Sequence, residues 1–320
     1  MKSNMSIRKD FISFTSPVSA ALPLDLLCKL TGENFIIPFY HVVSDEDCPH
    51  IEHLYRYKSQ KEFTEDIDWL AKRYQPIGAD ALPDVLAGKY KGKKIMLLTF
   101  DDGLRQMYDV VAPILVRKGM PAVFFLNTDF IDNKALMFRY KASVLKSLNK
   151  GNATMFDARS DKELDAQINL SQREELNAFL TGYKPYMTSV QIKSLISQGF
   201  AIGAHSCSHP YFADLTLDKQ LAETLDSMDI LQNDYGIKEK LFAFPFTDYG
   251  VSRAFFDHLF NEKKIDFSFG GAGIKHDTHP RQFQRIPMEG WNASAEQILK
   301  SEYLYCLLRA PLGKNTIVRN

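Results

Sequence analysis

His205 and His209 stand four residues apart in His205-Ser206-Cys207-Ser208-His209-Pro210. On a helical turn that spacing puts both imidazoles on one face, where they can share one metal ion. A carboxylate from elsewhere in the chain completes such a set and leaves a position open for water. Two imidazoles and a carboxylate suit Zn²⁺, and also Co²⁺, Ni²⁺ or Fe²⁺. Taken alone, the pair is more often two unrelated loop histidines than a metal site. Asp101 and Asp102 precede Gly103. Paired acids before glycine make a turn and a helix N-terminus, or else divide labour, one carboxylate ligating a cation while its neighbour holds an attacking water as base. A cation between adjacent carboxylates gives them different effective pKa values.

These residues share a position: each follows an apolar run of strand length. Residues 35–43 form the first run and carry His41 near their end; residues 95–100 stop at Asp101; residues 200–204 lead to His205; residues 241–244 lead to Pro245-Phe246. Helical patterns separate the runs. Leu104, Met107, Val111, Ile114 and Leu115 recur at spacings of three and four before Gly119, and a strand is expected at 122–126. A capping-box pattern at Thr188 and Gln191 opens a helix ending at Gly199, and a second stripe from Leu217 to Leu231 closes at Gly236. Strand, helix, strand in succession implies parallel βαβ units, and the pattern predicts further elements at 253–260, 266–269 and 295–308. Ligands converging from the C-terminal ends of parallel strands are what an α/β barrel site requires. Residues 134–187 are polar, with helical pieces at 139–148 and 161–180, and are expected to form a helical insertion on the barrel rim. The whole chain, 1–320, reads as one domain with that insert.

Composition narrows the field. The 320 residues are 45% hydrophobic and carry 39 basic against 39 acidic side chains, so the charge balance gives no sign of nucleic acid as a partner. No apolar run reaches membrane-spanning length. Four scattered cysteines without a C-x-x-C pair read as reduced thiols. Lys2, Arg8 and Lys9 precede an apolar stretch at 11–20 that Ser, Thr and Pro interrupt, which favours a cytoplasmic protein over one with a secretory signal.

Thr99-Phe100-Asp101-Asp102-Gly103 and the His205–His209 string together resemble the first two signature motifs of the polysaccharide deacetylase family, the NodB-homology domain of carbohydrate esterase family four. The resemblance covers roughly 36–288 and implies a distorted (β/α) barrel. It also implies a metal triad of Asp102, His205 and His209, with Asp101 as catalytic base. The implied reaction is hydrolytic removal of acetyl from N-acetylhexosamine units of a glycan or glycan precursor. In it a divalent cation, Zn²⁺ first, acidifies a bound water and polarises the carbonyl. A backbone N–H near Pro245-Phe246 is implied as an oxyanion donor.

Two features depart from the commonest family pattern. Ala243 stands where the third motif carries Arg, and the C-terminal L-x-H motif that supplies an acid has no match after Met288. The branch resembling the poly-N-acetylglucosamine deacetylases lacks the same features and carries a Tyr-His pair instead. Tyr40-His41 matches it, which implies His41 as general acid. Arg285 is read either as a replacement for the missing arginine, steadying Asp101, or as a surface ion pair. Cys48, His50 and His53, and His276 with His279, are loose clusters without a closed zinc spacing. Trp291 and Tyr249 are candidates for stacking on a sugar or for packing. Asn152, Asn169 and Asn292 lie in N-x-[ST] sequons. Two other readings stand beside the deacetylase: a non-catalytic carbohydrate-binding protein on a decayed fold, and an O-acetyl esterase. A place in surface-polysaccharide synthesis is the expected setting.

Overall fold

The computed structural model describes residues 4–19, 21–262 and 264–319, so Lys2 and Ala20 lie outside the described residues. Eight parallel segments make the central sheet: β1 (Pro38–Tyr40), β2 (Leu98–Phe100), β3 (Ala122–Leu126), β4 (Ala201–Ala204), β5 (Leu241–Ala243), β6 (Phe267–Gly270), β7 (Gln282–Gln284) and β8 (Ile286–Pro287). Their order is β7-β6-β5-β4-β3-β2-β1-β8. Only Arg285 separates β7 from β8. One extended stretch therefore pairs with β6 at Gln282↔Ser268 and, beyond Arg285, with β1 at Ile286↔Pro38. The two ends of the sheet are the same piece of chain, which closes the sheet into a (β/α) barrel.

Alternation sorts the strand residues. Val123, Phe125, Leu241, Ala243 and Phe269 fill the barrel, while Phe100, Phe124, Leu126, Ile202 and Phe242 face the surrounding helices. Burial on both faces explains why these strands read as nearly unbroken apolar runs. The runs at 35–43 and 95–100 are each cut in two. Phe35–Ile36 and Ile95–Met96 pair with each other in a small side sheet with Gln75–Pro76, and only the later residues enter the barrel. The chain steps between sheets at Ile37 and Leu97, both buried in the barrel interior.

Helices cover the barrel: α1 (Asn4–Ser19), α2 (Leu24–Thr31), α3 (Gln60–Ala71), α4 (Ala112–Lys118), α5 (Phe138–Ser147), α6 (Leu170–Tyr183), α7 (Ser189–Ser197), α8 (Leu217–Tyr235), α9 (Arg253–Asn261) and α10 (Ala295–Arg309). The capping box at Thr188 and Gln191 is present, and Gly236 ends α8 in the left-handed region at φ 65°. The stripe from Leu104 does not open as an α-helix. Pro113 has no N–H to offer Asp109, and the turn before α4 widens until the Ala112 N–H reaches the Met107 carbonyl.

Within 134–187 the expected helix at 161–180 is two, Asp161–Asp165 and α6, because the Asn169 side chain caps α6 in a capping box with Gln172. Asn152 likewise caps a short turn, so two of the three sequon asparagines are occupied by backbone. Leu136, Phe138, Leu145, Leu164 and Leu176 form a separate apolar cluster with Val42, Cys48 and Ile51. The insert and the loop after β1 thus share a core at the barrel mouth. No helix of the described residues is long and apolar enough to cross a membrane.

Candidate active site

The C-terminal ends of β1, β2, β4, β5 and β8 deliver His41, Asp101 with Asp102, His205, Pro245 with Phe246, and Glu289 to one end of the barrel. Asp102 and Gly103 follow β2 in consecutive left-handed conformations, φ 71° and 66°, which turn the chain sharply enough to aim both carboxylates inward. The His205 to His209 stretch forms no helical turn, contrary to the spacing argument. Ser206 and His209 are instead left-handed, at φ 70° and 59°. Glu223 accepts the Cys207 and Ser208 N–H groups at 2.9 and 3.0 Å, Ser206 Oγ accepts the His209 N–H at 3.0 Å, and Asn127 donates to the His205 carbonyl. A tight loop tied by side chains does what a helix face was expected to do.

His205 Nε2 lies 3.4 Å and His209 Nε2 3.2 Å from Asp102 Oδ1. All three residues are buried, and among the described residues they are the one cluster of three potential ligands. His205 Nδ1 meets the Ala243 carbonyl at 2.8 Å, which fixes the N–H there and turns the Nε2 lone pair inward. Burial outweighs Asp102 and lowers the His209 pKa. Burial alone would raise the Asp102 carboxyl, yet His209 and His205 hold it well below the usual carboxylate range. Asp102 Oδ1 is buried without a hydrogen-bond donor. A carboxylate oxygen and two imidazole nitrogens therefore converge on one point. Tetrahedral ligation at 2.0–2.1 Å sets ligands about 3.3 Å apart, so the donor set and its spacing fit a divalent cation such as Zn²⁺.

Asp101 sits beside this cluster, its Oδ2 4.0 Å from His205 Nε2. Arg285 grips both its oxygens, Nη1 to Oδ1 at 2.6 Å and Nη2 to Oδ2 at 2.7 Å. Arg285 is only 1% exposed and also donates to the Gly270 carbonyl and Thr99 Oγ1, so the surface ion pair is ruled out. Burial pushes the Asp101 carboxyl up, and Arg285, with His205 and His41, brings it below its ordinary value. Opposite, His41 Nδ1 lies 2.9 Å from Glu289 Oε2, and Glu289 also accepts the His41 and Val42 N–H groups at 2.8 and 3.0 Å. Burial disfavours charge on His41, but Glu289, Asp102 and Asp101 prevail and raise its pKa to about 9.

These groups open into a pocket of about 280 Å³. The Phe246 ring stands edge-on to His209 at 4.4 Å and stacks on Tyr211 at 3.9 Å. Trp291 lines the pocket, whereas Tyr249 is 75% exposed and does not. The loose histidine clusters do not assemble: His50 is wedged among Tyr140, Phe179 and Tyr183, His53 meets Glu52, His276 meets Glu33, and His279 stacks on Phe256. Two residues escaped the sequence reading. Glu289 was passed over although it follows Arg285 by four residues, and Tyr140, on α5 of the insert, donates its hydroxyl to Asp102 Oδ2. No local motif marks Tyr140, because its partner lies 38 residues away.

Among solved structures, the Streptococcus pyogenes deacetylase PplD in complex with acetate shares 16% identity at a TM-score of 0.58, over 84% of this chain and 97% of that one. IcaB from Ammonifex degensii gives 17% and 0.56, over 85% and 98%, and a de-N-acetylase from Aggregatibacter actinomycetemcomitans 17% and 0.53, over 82% and 95%. At these identities the likeness is one of fold. The curated protein YxkH of Bacillus subtilis (strain 168) is 22% identical over 188 residues, 58% of this chain; the chain spans 50% of that protein's length. The family model for polysaccharide deacetylase matches residues 88–255, more than half the chain and a span that contains Asp101, Asp102, His205, His209 and Phe246. This chain belongs to the polysaccharide deacetylase family.

Proposed function

We propose that the chain removes acetyl groups by hydrolysis from N-acetylhexosamine units of a glycan or glycan precursor. The observation that carries the reading is the meeting of three arrangements in one pocket: Asp101 clamped by Arg285, His41 held by Glu289, and the Asp102–His205–His209 cluster. A divalent cation held by Asp102, His205 and His209 would supply an acidified water and polarise the acetyl carbonyl. Asp101 would be the proton acceptor beside that site. Its bidentate contact with Arg285 leaves lone pairs on each oxygen and keeps the carboxylate ionised and oriented. His41, engaged at Nδ1, presents Nε2 to the departing nitrogen, and a pKa near 9 keeps it protonated at neutral pH. The Phe246 backbone, at φ 53° beside His209, is the candidate donor to the oxyanion.

Ala243 and the missing late histidine motivate a decayed, non-catalytic fold; in the present reading Arg285 and His41, from other strands, take both roles, which supports the enzyme. An O-acetyl esterase would use the same residues. The test is acetate release by Zn²⁺-loaded protein from N-acetylglucosamine oligomers and from O-acetylated sugars, beside Asp102→Ala and His41→Ala. Release from the amide that both variants abolish, with metal lost only from the Asp102 variant, supports the proposal. An unchanged rate in His41→Ala removes the acid assignment, and release from esters alone replaces the amidase by an esterase.

A further inference from the structure

Three arginines line the active-site pocket, and two of them are answered by carboxylates. Arg285 is taken by Asp101, and Arg8, reaching in from α1, by Glu302 at 2.5 Å. The third, Arg139 near the start of α5, has no ion-pair partner among the described residues. Its Nη1 makes one long contact, 3.4 Å to the neutral Tyr211 hydroxyl, and its Nε is buried with no hydrogen-bond partner at all. A guanidinium on a pocket wall that no carboxylate answers leaves its charge and its planar fork of N–H donors to what enters the pocket.

The surroundings indicate what that something is. The guanidinium carbon lies 5.7 Å from the centre of the Phe246 ring, which stacks on Tyr211 and touches the ligand imidazole of His209 edge-on. Arg139 thus stands one aromatic ring away from the reacting centre, within reach of the same sugar or its neighbour. The pocket's other charges are balanced pairwise, Asp101 with Arg285, His41 with Glu289 and Arg8 with Glu302, while Asp102 faces the cation site. Arg139 alone adds uncompensated positive charge to a pocket that already draws anions when its cation is bound.

We propose that Arg139 forms a subsite for an anionic oxygen group, carboxylate or phosphate, borne by the acetylated sugar or by the unit next to it. The substrate is then an acidic glycan or a sugar phosphate, not a neutral homopolymer. The planar fork of arginine suits both groups. The subsite deepens the deacetylase reading, and binding measurements separate it from that reading.

The experiment uses Zn²⁺-loaded protein carrying Asp101→Asn, so that bound sugar is not consumed. This frees Arg285 in every sample, so only the part of an anion preference that Arg139→Gln removes counts, and a preference that Arg139→Gln leaves intact overturns the proposal. It is titrated calorimetrically with neutral diacetylchitobiose, with an N-acetylglucosamine–glucuronate disaccharide and with N-acetylglucosamine 1-phosphate. One of the two anionic probes should bind at least about tenfold tighter than the neutral one, as a charge-assisted contact would give, and which of them does so identifies the source. Adding Arg139→Gln should erase that preference while leaving diacetylchitobiose unchanged, the internal check on folding, and Arg139→Lys should restore part of it. Equal binding of neutral and acidic probes, no binding of either acidic probe, or a loss in Arg139→Gln that falls equally on all three would overturn the proposal. An Arg139-dependent preference in a protein that, with Asp101 restored, releases acetate from none of the probes would keep the subsite and overturn the deacetylation.

Discussion

At the scale of single residues the site depends on who holds whom. His41 titrates near 9 in the folded chain against 6.5 ordinarily. Its protonated form is therefore favoured by folding; that stabilisation is whole below pH 6.5 and is lost as the pH rises through about 9. If His41 is the acid, Glu289→Gln should move the alkaline limb of the acetate-release profile towards acid by about a unit or more. A limb that stays in place would take Glu289 out of the mechanism. Tyr140 acts on the other side of the pocket. Tyr140→Phe leaves Asp102 Oδ2 without its donor and should weaken Zn²⁺ affinity about 10- to 100-fold, as loss of a hydrogen bond behind a ligand does. Chelator competition measures this directly, and unaltered affinity would make the contact merely structural.

At the scale of elements the seam of the barrel matters most. Arg285 is the single residue between β7 and β8, so its side chain enters the barrel where the sheet closes. Arg285→Met should destabilise by about 3–5 kcal/mol, because Asp101 is left as a buried charge without a partner. Asp101→Asn in the same chain should recover part of that loss in urea unfolding; no recovery would mean that packing, not charge, holds the seam. Gly203 in β4 gives a second test. A Cβ there would lie 2.5 Å from the Phe125 ring and 2.9 Å from the Leu241 carbonyl. Gly203→Ala should cost about 1–3 kcal/mol, read as a lower unfolding midpoint.

Legibility in the sequence divided along the same line. The Asp101-Asp102 and His205–His209 strings were visible because each is contiguous, and the strands β3 to β5 because both their faces are apolar. The closing strand was not. Gln282 and Gln284 are buried polar residues satisfied by Asp248, which breaks the apolar pattern that announces a strand. The pairs Arg285–Asp101 and Glu289–His41 span 184 and 248 residues, and only the folded barrel brings them together.

At the scale of the whole molecule, the proposed metal site joins the loops after β2 and β4, about a hundred residues apart in the chain. An ion bound there favours the folded state alone, so Zn²⁺ at a hundred times its Kd should stabilise the protein by about 2.7 kcal/mol. A thermal melt with and without Zn²⁺ measures it, Asp102→Ala should abolish the shift, and an equal shift in both proteins would place the ion elsewhere. Closure by the stretch from Gln282 to Pro287 has one more consequence, and it concerns time. Synthesis runs from the N-terminus, so Asp101, Asp102, His205 and His209 leave the ribosome well before Arg285 and Glu289 exist. A nascent chain can possess every residue of the family's two motifs and still lack the partners of Asp101 and His41. The last barrel strand to be made is the one that brings Arg285 to Asp101, and a chain cut short before it carries the signature without that partner.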